Sequence, residues 1–416
     1  MADPHGAVGA GEHEAVQVAV AGALAGLSCM ACGAGAARGG PAAGLPSLGE
    51  LAAARGMWLG GEMTQAVRAG QAGDAARYAS LFGSGPAPRQ YPLATVGNSL
   101  KWGRLEKSGR PANFSAADAA VDFLERAGAA VRGHNLVWPA HNPPWLVRAA
   151  PEMPAAELSE ALVLHVAEVA GRYAGRLLSW DVVNEPLRQE APECGPHDWG
   201  CGLLGLMHWS GAQPVDWTQV EGDLGRGSYI EVALRAARAA DPEALLMLNE
   251  FDVHGGNDKS TRFLALCRAL LEAGAPLDGI GVQMHLSNAH AAYNASAFAS
   301  VLESFAELGL VVHVTELDIL PDCTSTCYGN ATSPEDKLRV QADVYSSVLR
   351  ECLHAPACEA LVFWNPVDAH TDEGNLTAPG MSVLDNEYRP KPAFWAIAAE
   401  LLRPSGERSE VAGAGR

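Results

Sequence analysis

The chain has 416 residues, 48% of them hydrophobic, and a formal net charge of −19 from 48 acidic and 29 basic residues. This hydrophobic content suffices for a substantial core, in one large domain or two ordinary ones. No basic run accompanies the acidic excess, which argues against nucleic acid or an anionic membrane surface as a partner. A neutral polymer or a small uncharged ligand fits the charge better.

Residues 1–45 are rich in Ala and Gly and nearly free of large side chains, so we expect a disordered low-complexity leader. Residues 15–37 carry no charge and could form an export or anchor segment. However, Glu12 and Glu14 precede them where an export signal has a basic region, which favours a plain leader. We expect one folded domain over residues 46–405 and a flexible tail over residues 406–416.

The chain contains nine cysteines, and three close pairs lie in loop-like settings. These disulfide candidates are Cys194 with Cys201, Cys323 with Cys327, and Cys352 with Cys358. The lone Cys-x-x-Cys at Cys29 and Cys32 has no matching second pair, so a zinc site is not expected. Four Asn-x-Ser/Thr sequons also occur, at Asn113, Asn294, Asn330 and Asn375. Together they favour a secreted, extracellular glycoprotein with disulfide bonds.

Strand patterns and helix patterns alternate after residue 55. The predicted strands are Met57–Gly60, Leu93–Val96, Ala130–His134, Leu178–Val183, Leu245–Asn249, Gly279–His285, Val311–Glu316 and Ala360–Trp364. Apolar residues at spacings of three and four mark helices between them, including a stripe with Phe263, Cys267 and Leu270. Further helices are predicted over Met63–Leu81, Ala155–Ala174, Tyr229–Ala240, Pro334–Leu353 and Pro392–Leu402, and Ser115 is a possible cap for another.

Eight strands, each followed by a helix, indicate a parallel sheet, because a crossover helix returns the chain to the same side. The number of units predicts a closed α/β barrel of the (β/α)8 or TIM type, in a single domain. An open doubly wound sheet is the alternative. It would call for a Gly-rich phosphate-binding turn after the first strand, and Gly60-Gly61-Glu62-Met63 is not one.

Two of the strands end in a glutamate. Trp180–Pro186 is a branched apolar run that leads into Asn184 and Glu185, and Val311–Asp318 repeats the pattern with Glu316. A single glutamate of this kind is often only the end of a strand. Two carboxylates on the carboxyl ends of separate barrel strands would meet at one face, which is what a glycosidase requires.

The other predicted strand ends carry amides, imidazoles, indoles and one lysine. These residues are Asn98, Lys101, Trp102, His134, Asn135, Trp138, Asn249, Glu250, Gln283, His285, Asp318, Trp364 and Asn365. Sugar hydroxyls need donors and acceptors at fixed positions, and the apolar face of a pyranose stacks on indole, so the set indicates a sugar site. The histidines come from different strands, so neither a metal nor another cofactor is expected. His313 is interpreted as a half-buried structural histidine, because its position in the strand opposes that of Glu316.

Six ordered segments resemble glycoside hydrolase family 10, the endo-β-1,4-xylanases, and the likeness extends over residues 55–402. They are Thr95–Trp102, Arg132–Trp138, Trp180–Pro186, Gly279–Leu286, Val314–Asp318 and Arg389–Ala393. The resemblance implies that Glu185 is the acid/base, that Glu316 is the nucleophile held by His285 and Asp318, and that Asn184 bonds the sugar 2-hydroxyl. It also implies a non-reducing-side subsite lined by Asn98, Lys101, His134, Trp138, Gln283 and Trp364, and it likens Cys352 and Cys358 to a disulfide of some members.

The sequence departs from the family pattern at four positions. Gly97 replaces a glutamate that binds the distal sugar, Pro139 and His141 replace a His and a Gln, and Asp372 lies where a second tryptophan caps the site. The expected activity is retaining hydrolysis of internal β-1,4 bonds of xylan or a related polysaccharide, by a monomer without cofactor or membrane partner. A β-1,4-glucanase or cellobiohydrolase and a non-catalytic carbohydrate-binding barrel remain the alternatives.

Overall fold

The computed structural model describes residues 47–63, 72–83, 89–187, 215–222, 225–226, 228–286, 292–320, 333–364, 366–368 and 380–404. The whole of the predicted leader, residues 1–45, and of the predicted tail, residues 406–416, lies outside these ranges. Several predicted positions also lie outside the described residues, namely Cys194, Cys201, Cys323, Cys327, Asn330, Asn365, Asp372 and Asn375. Within the described residues, no helix is both long enough and apolar enough to cross a membrane.

Eight parallel strands close into a barrel, which confirms the predicted fold class. In chain order the strands are β1 Trp58–Met63, β2 Leu93–Val96, β3 Ala130–Val137, β4 Ser179–Asn184, the hairpin β5 Glu221–Gly222 and β6 Gly225–Arg226, β7 Leu245–Glu250, β8 Gly279–Val282, β9 His285–Leu286, β10 Val311–Ile319 and β11 Cys358–Phe363. The sheet runs β11-β1-β2-β3-β4-β7-β8-β10, and the pairing of β10 with β11 closes it. β9 only extends the sheet beside β10, and β5 and β6 form a separate pair.

Helices surround the barrel, and one follows each barrel strand. They span Leu48–Ala53 ahead of β1, then Ala72–Ser80, Trp102–Leu105, Ser115–Arg126, Pro144–Ala149, Ala155–Arg172, Tyr229–Ala240, Asp258–Glu272, Ala295–Ala306, Pro334–His354 and Pro392–Leu401. Their apolar faces pack on the strands, and the core includes Cys267 as the sequence predicted. Because all barrel strands are parallel, their carboxyl ends lie at one face, and that face carries the polar strand-end residues.

The barrel strands match the predicted strands in number and order, with three local corrections. The predicted sixth strand is interrupted at Gln283 and Met284, where the backbone φ of Met284 is +65°. Met63 belongs to β1 and not to the following helix, because its backbone pairs with β2. Ser115 is the first helical residue and not the cap; its backbone N–H donates to the Asn113 side chain.

A disulfide joins Cys352, near the end of the helix Pro334–His354, to Cys358, the first residue of β11. The two residues are six positions apart and their Cα atoms lie 5.1 Å apart. The bond therefore constrains the short connection between this helix and the strand that follows it.

We expect the double variant Cys352→Ala/Cys358→Ala to lose about 2 kcal/mol of unfolding free energy, because the unfolded chain no longer carries this short closed loop. Denaturant unfolding of the variant and of the oxidised and reduced wild type measures the loss. An unfolding free energy equal to that of the oxidised wild type would contradict the expectation.

Candidate active site

The carboxyl ends of four neighbouring strands are joined by backbone hydrogen bonds. The N–H of Glu185 donates to the carbonyl of Asn249 at 2.7 Å, that of Gln283 to Glu250 at 3.0 Å, and that of Glu316 to Gln283 at 3.0 Å. Glu185 follows directly on β4 with a φ of +53°, a left-handed conformation that is uncommon for a residue other than glycine. The side chain of Glu185 leaves this turn at the barrel mouth. Such a strained conformation persists only where the surrounding structure holds it.

Asn249 links the two predicted carboxylates through one amide. Its Nδ2 donates to Glu316 Oε1 at 2.6 Å and to Asn184 Oδ1 at 2.8 Å, while its Oδ1 accepts from the Thr315 hydroxyl at 2.7 Å. Asn184 Oδ1 also lies 3.3 Å from Gln283 Nε2, which donates to Glu185 Oε1 at 3.0 Å. A continuous hydrogen-bonded chain thus runs from Glu316 to Glu185 across the barrel mouth.

Glu316 is buried against a histidine that is itself held by a second carboxylate. His285 Nδ1 lies 2.9 Å from Asp318 Oδ1, and its Nε2 lies 3.2 Å from Glu316 Oε2. Burial opposes protonation of His285, but the adjacent Asp318 and Glu316 carboxylates outweigh it and hold the pKa of His285 well above its usual value. Burial likewise opposes ionisation of Glu316, yet the hydrogen bond from His285 and the nearby His134 lower its pKa. Glu316 is therefore kept as a carboxylate.

Glu185 has a different environment. It is half-buried, its Oε2 accepts from the Trp138 indole N–H at 2.9 Å, and its Oε1 accepts from Gln283. Both donors are neutral, whereas Glu316 contacts an imidazole whose pKa is raised. The two glutamates thus share one hydrogen-bonded chain but differ in the charge of their immediate partners. Such a difference separates acid and base roles in one site.

Trp138 connects Glu185 to the predicted subsite residues. Lys101 Nζ lies 4.9 Å from the centre of the Trp138 ring and donates to Asn98 Oδ1 at 2.8 Å. The His141 ring stacks on Trp138, with centroids 5.8 Å apart and an interplanar angle of 10°. Burial, with a smaller contribution from the Lys101 charge, lowers the pKa of His141 to about 4, so this ring is neutral at neutral pH.

His134 and Trp364 complete the set. His134 Nδ1 lies 2.9 Å from Asp181 Oδ2, and Asp181 Oδ1 accepts from the fully buried Arg132 at 2.6 Å. The Trp364 ring meets His134 and His285 edge-on, at centroid distances of 5.5 and 6.1 Å. All of the predicted catalytic, supporting and subsite residues therefore lie in one contiguous cluster at the barrel mouth.

The structure shows the surroundings of three of the four positions that depart from the family pattern. A Cβ on Gly97 would stand 2.0 Å from Oε1 of Glu62, a buried residue of β1, so the Glu62 carboxylate fills the space of a side chain at position 97. Pro139 and His141 belong to a tight turn, in which the His141 N–H donates to the Trp138 carbonyl at 2.9 Å and the Asn142 amide donates to the Pro139 carbonyl at 2.9 Å.

Sequence reasoning identified Asn249 at a strand end without giving it a role, and it did not single out Asp181 or Arg132. The available signal for the latter two was a charged residue inside a run of buried strand residues, because a buried charge needs a partner. Their pairing could not be inferred, since it depends on the register of β3 against β4, where Arg132 lies opposite Ser179 and His134 opposite Asp181. Within the described residues, no three His, Cys, Asp or Glu side chains are grouped to hold a metal ion.

Comparison with known proteins gives consistent matches over this domain. The model of glycosyl hydrolase family 10 matches residues 48–400. An endo-1,4-beta-xylanase B of Thermotoga neapolitana is 33% identical over 314 residues, which cover 75% of this chain and 81% of that protein. An endo-1,4-beta-xylanase of Agaricus bisporus is 32% identical over 305 residues, covering 73% of this chain and 81% of that protein.

Solved structures agree with these matches. The crystal structure of native xylanase 10B from Thermotoga maritima superposes with a TM-score of 0.71 at 29% identity, covering 86% of this chain and 98% of that one. Xylanase 10B from Thermotoga petrophila, solved with xylobiose, gives a TM-score of 0.70 at 27% identity over 88% of this chain and 98% of that one. With the family model matched across the whole barrel, the chain belongs to glycosyl hydrolase family 10.

Proposed function

We propose that this protein is a retaining endo-β-1,4-xylanase. The observation that carries the proposal is the pair Glu185 and Glu316, which lie on different barrel strands, in one hydrogen-bonded chain, with partners of different charge. The xylanase names of the relatives support xylan as the substrate. A retaining mechanism requires the two carboxyl groups to be roughly 5–5.5 Å apart, on opposite sides of the scissile bond.

In the first step, the Glu316 carboxylate attacks the anomeric carbon, and the bond to the leaving sugar breaks as Glu185 donates its proton to the leaving oxygen. A covalent glycosyl ester on Glu316 results. In the second step, Glu185, now a carboxylate, removes a proton from water, and the oxygen of that water attacks the same carbon and releases Glu316. Two inversions at the anomeric carbon give net retention of its configuration. The proton that Glu185 gives up in the first step is replaced by the one it takes from water in the second.

The remaining residues of the cluster bind and orient the sugar. Asn184, whose Oδ1 accepts a hydrogen bond from Asn249, bonds the 2-hydroxyl next to the reacting carbon in this scheme. Asn98, Lys101, His134, Gln283 and the rings of Trp138 and Trp364 supply donors, acceptors and apolar faces on the non-reducing side. No cofactor takes part in this chemistry, because proton transfer and displacement use only the two carboxyl groups and water.

Substrate choice is tested by a product profile on xylan, cellulose and mixed-linkage glucan. We expect internal cleavage of xylan, seen as a rapid fall in polymer length with a series of short xylo-oligosaccharides. Predominant cleavage of cellulose or glucan would favour the β-1,4-glucanase alternative. Binding to xylan without release of reducing ends would favour a non-catalytic barrel, an alternative motivated by the departures at Gly97, Pro139 and Asp372.

The variant His285→Gln is expected to move the acidic limb of the pH profile of kcat/KM to higher pH. The wild-type limb reports ionisation of Glu316, whose pKa lies below its ordinary value of 4.5, so the limb lies below that pH. Removing the His285 hydrogen bond and charge raises that pKa, because burial then opposes ionisation with less compensation. Initial rates on xylan between pH 3 and 8 measure the shift. An unchanged limb, or one at lower pH, would show that His285 does not set the charge of Glu316.

The disulfide and the exposed sequons support secretion and glycosylation of the enzyme. Asn113 and Asn294 are exposed, although each side chain also accepts a backbone N–H near a helix start. Disulfides persist in oxidising compartments outside the cytosol. A loss of mass after enzymatic deglycosylation of the protein from its native source tests this part of the proposal, and an unchanged mass contradicts it.

A further inference from the structure

A third carboxylate lies behind the candidate acid/base and takes no part in the mechanism derived above. Glu250, the last residue of β7, is fully buried. Its Oε1 accepts from Lys259 Nζ at 2.7 Å and from the Phe251 N–H at 2.9 Å, and its Oε2 accepts from the Leu187 N–H at 2.9 Å. Both oxygens are therefore occupied, and one of them reaches across from β7 to the segment that follows β4.

Lys259, the cationic partner of Glu250, is also buried and has a second contact, with an aromatic ring. It lies in the first turn of the helix Asp258–Glu272, is 4% exposed, and places its Nζ 3.1 Å from the centre of the Phe251 ring. A buried pair of this kind gives little net stability compared with apolar residues, because both charges lose their hydration. Stability alone therefore does not account for this pair.

The segment that donates a hydrogen bond to Glu250 is the turn that carries Glu185. Leu187 lies two residues beyond Glu185, and the N–H of Glu185 itself donates to Asn249, the residue before Glu250. Two successive residues of β7 thus hold both ends of a turn in which Glu185 has a φ of +53°. A left-handed backbone conformation costs about 1–3 kcal/mol, so the surrounding structure must hold it. The two hydrogen bonds to Asn249 and Glu250 are the support that β7 gives to this turn.

We propose that Glu250, held by Lys259, is a positioning residue that fixes the Glu185–Leu187 turn through the Leu187 amide and so presents the acid/base to the glycosidic oxygen. The inference rests on the proposed function, in which Glu185 transfers the proton. Glu250 contacts no sugar in this scheme. It acts only through Glu185.

Burial dominates the electrostatic environment of Glu250. The groups that face it are Lys259, Glu185 and the buried Tyr229, whose pKa is raised by burial and further by Glu250. Burial raises the pKa of Glu250 to about 7 against the lowering effect of Lys259, and the charge of Glu185 raises it further.

Two substitutions separate position from charge. Glu250→Asp keeps the charge but withdraws the carboxylate from the Leu187 amide, whereas Glu250→Gln keeps an acceptor there and removes the charge. Each is assayed by kcat/KM on 2,4-dinitrophenyl β-xylobioside, whose leaving group departs without a proton, and on phenyl β-xylobioside, whose leaving group needs one. Active sites are titrated with a 2-deoxy-2-fluoro xylobioside, so misfolded protein does not enter the rates.

For Glu250→Asp we expect a fall of roughly 10- to 100-fold on the phenyl substrate, as small misplacement of a catalytic group produces, and a change within about 3-fold on the dinitrophenyl substrate. For Glu250→Gln, which keeps an acceptor for the Leu187 N–H, we expect a smaller fall on the phenyl substrate than for Glu250→Asp. Glu400→Gln is the matched control, because Glu400 is also a buried glutamate with a cationic partner, Arg350, but lies between outer helices. It should leave the ratio of the two substrates unchanged.

Equal losses on both substrates in Glu250→Asp, or no loss on the phenyl substrate, would overturn the inference. Glu185→Gln is measured in parallel, so that failure of the positioning role of Glu250 can be told apart from failure of the acid/base assignment of Glu185. If Glu185→Gln shows a strong leaving-group dependence and Glu250→Asp does not, only the positioning role fails. If Glu185→Gln shows none, the acid/base assignment fails and the inference falls with it. Should Glu250→Gln not fold, the comparison in Glu250→Asp decides alone.

Discussion

Replacing Glu316 with alanine is expected to reduce kcat/KM on xylan by a factor on the order of 10⁴ to 10⁶, the size of loss that follows removal of a covalent nucleophile. The carboxylate forms the bond to the anomeric carbon, and neither Asn249 nor His285, its hydrogen-bond partners, can replace it there. Reducing-end release from xylan, normalised to folded protein by circular dichroism, measures the loss.

Added azide identifies the role that was lost. In Glu316→Ala the vacated space admits azide on the side where the carboxylate stood, so a dinitrophenyl β-xylobioside should yield the α-glycosyl azide. Asp318→Asn is the matched comparison, because Asp318 contacts His285 and keeps the nucleophile in place. It should retain far more activity than Glu316→Ala. Near-full activity of Glu316→Ala on xylan would contradict the assignment.

Replacing Glu185 with alanine is expected to reduce kcat/KM on xylan by roughly 10² to 10⁴-fold, the usual contribution of a general acid. Xylan has a poor leaving group, so loss of the proton donor acts on the bond-breaking step. A dinitrophenyl β-xylobioside should keep most of its kcat/KM while kcat falls, because hydrolysis of the glycosyl ester then lacks its base. Steady-state kinetics on the two substrates measure this contrast.

Azide again discriminates, with the opposite stereochemistry. In Glu185→Ala the nucleophile is intact, so azide attacks the glycosyl ester in place of water and should give the β-glycosyl azide and a restored kcat. Trp138→Phe removes the indole donor to Glu185 while leaving its carboxyl group present, and should lower activity less than Glu185→Ala does. Formation of the α-azide by Glu185→Ala, or equal losses on both substrates, would be incompatible with an acid/base role.

The barrel could be predicted from the sequence because its strands are buried on both faces. Runs such as Leu178–Val183 and Val311–Val314 are mostly branched or apolar, with only isolated polar residues such as Asp181 and His313. The strand ends were equally readable, since a polar residue directly after such a run must emerge at the sheet edge. This is why Glu185 and Glu316 could be singled out and why their neighbours Gln283 and His285 fell at the same face.

What the sequence could not supply is the set of contacts between strands. The turn at Met284, with its φ of +65°, interrupts a segment that the sequence predicts as one continuous strand, so the pattern gave no sign of it. The sequence shows that Gly97 departs from the family pattern, but it does not show what lies beside it. Only the structure relates it to Glu62, whose carboxylate occupies the space beside it.

Glu250 is the clearest case of a residue whose interpretation depends on tertiary contacts. In the sequence it stands at a strand end and could merely cap a loop. The structure gives it Lys259 from the next helix and Leu187 from the turn after β4, which are nine and sixty-three positions away. A buried carboxylate with both oxygens used is distinguishable from a loop cap only once those partners are known.

The central claim is that Glu316 forms a bond to the sugar while Glu185 transfers the proton, and covalent trapping tests it most directly. A 2-deoxy-2-fluoro-β-xylobioside with a dinitrophenyl leaving group reacts rapidly in the first step and only slowly in the second, because fluorine disfavours positive charge at the anomeric carbon. Mass spectrometry of the intact protein and of its peptides should find one fluoroxylobiosyl group per protein molecule, attached to Glu316 within the β10 segment Val311–Ile319. A fully active enzyme that carries the label on another residue, or that takes none, would contradict the claim.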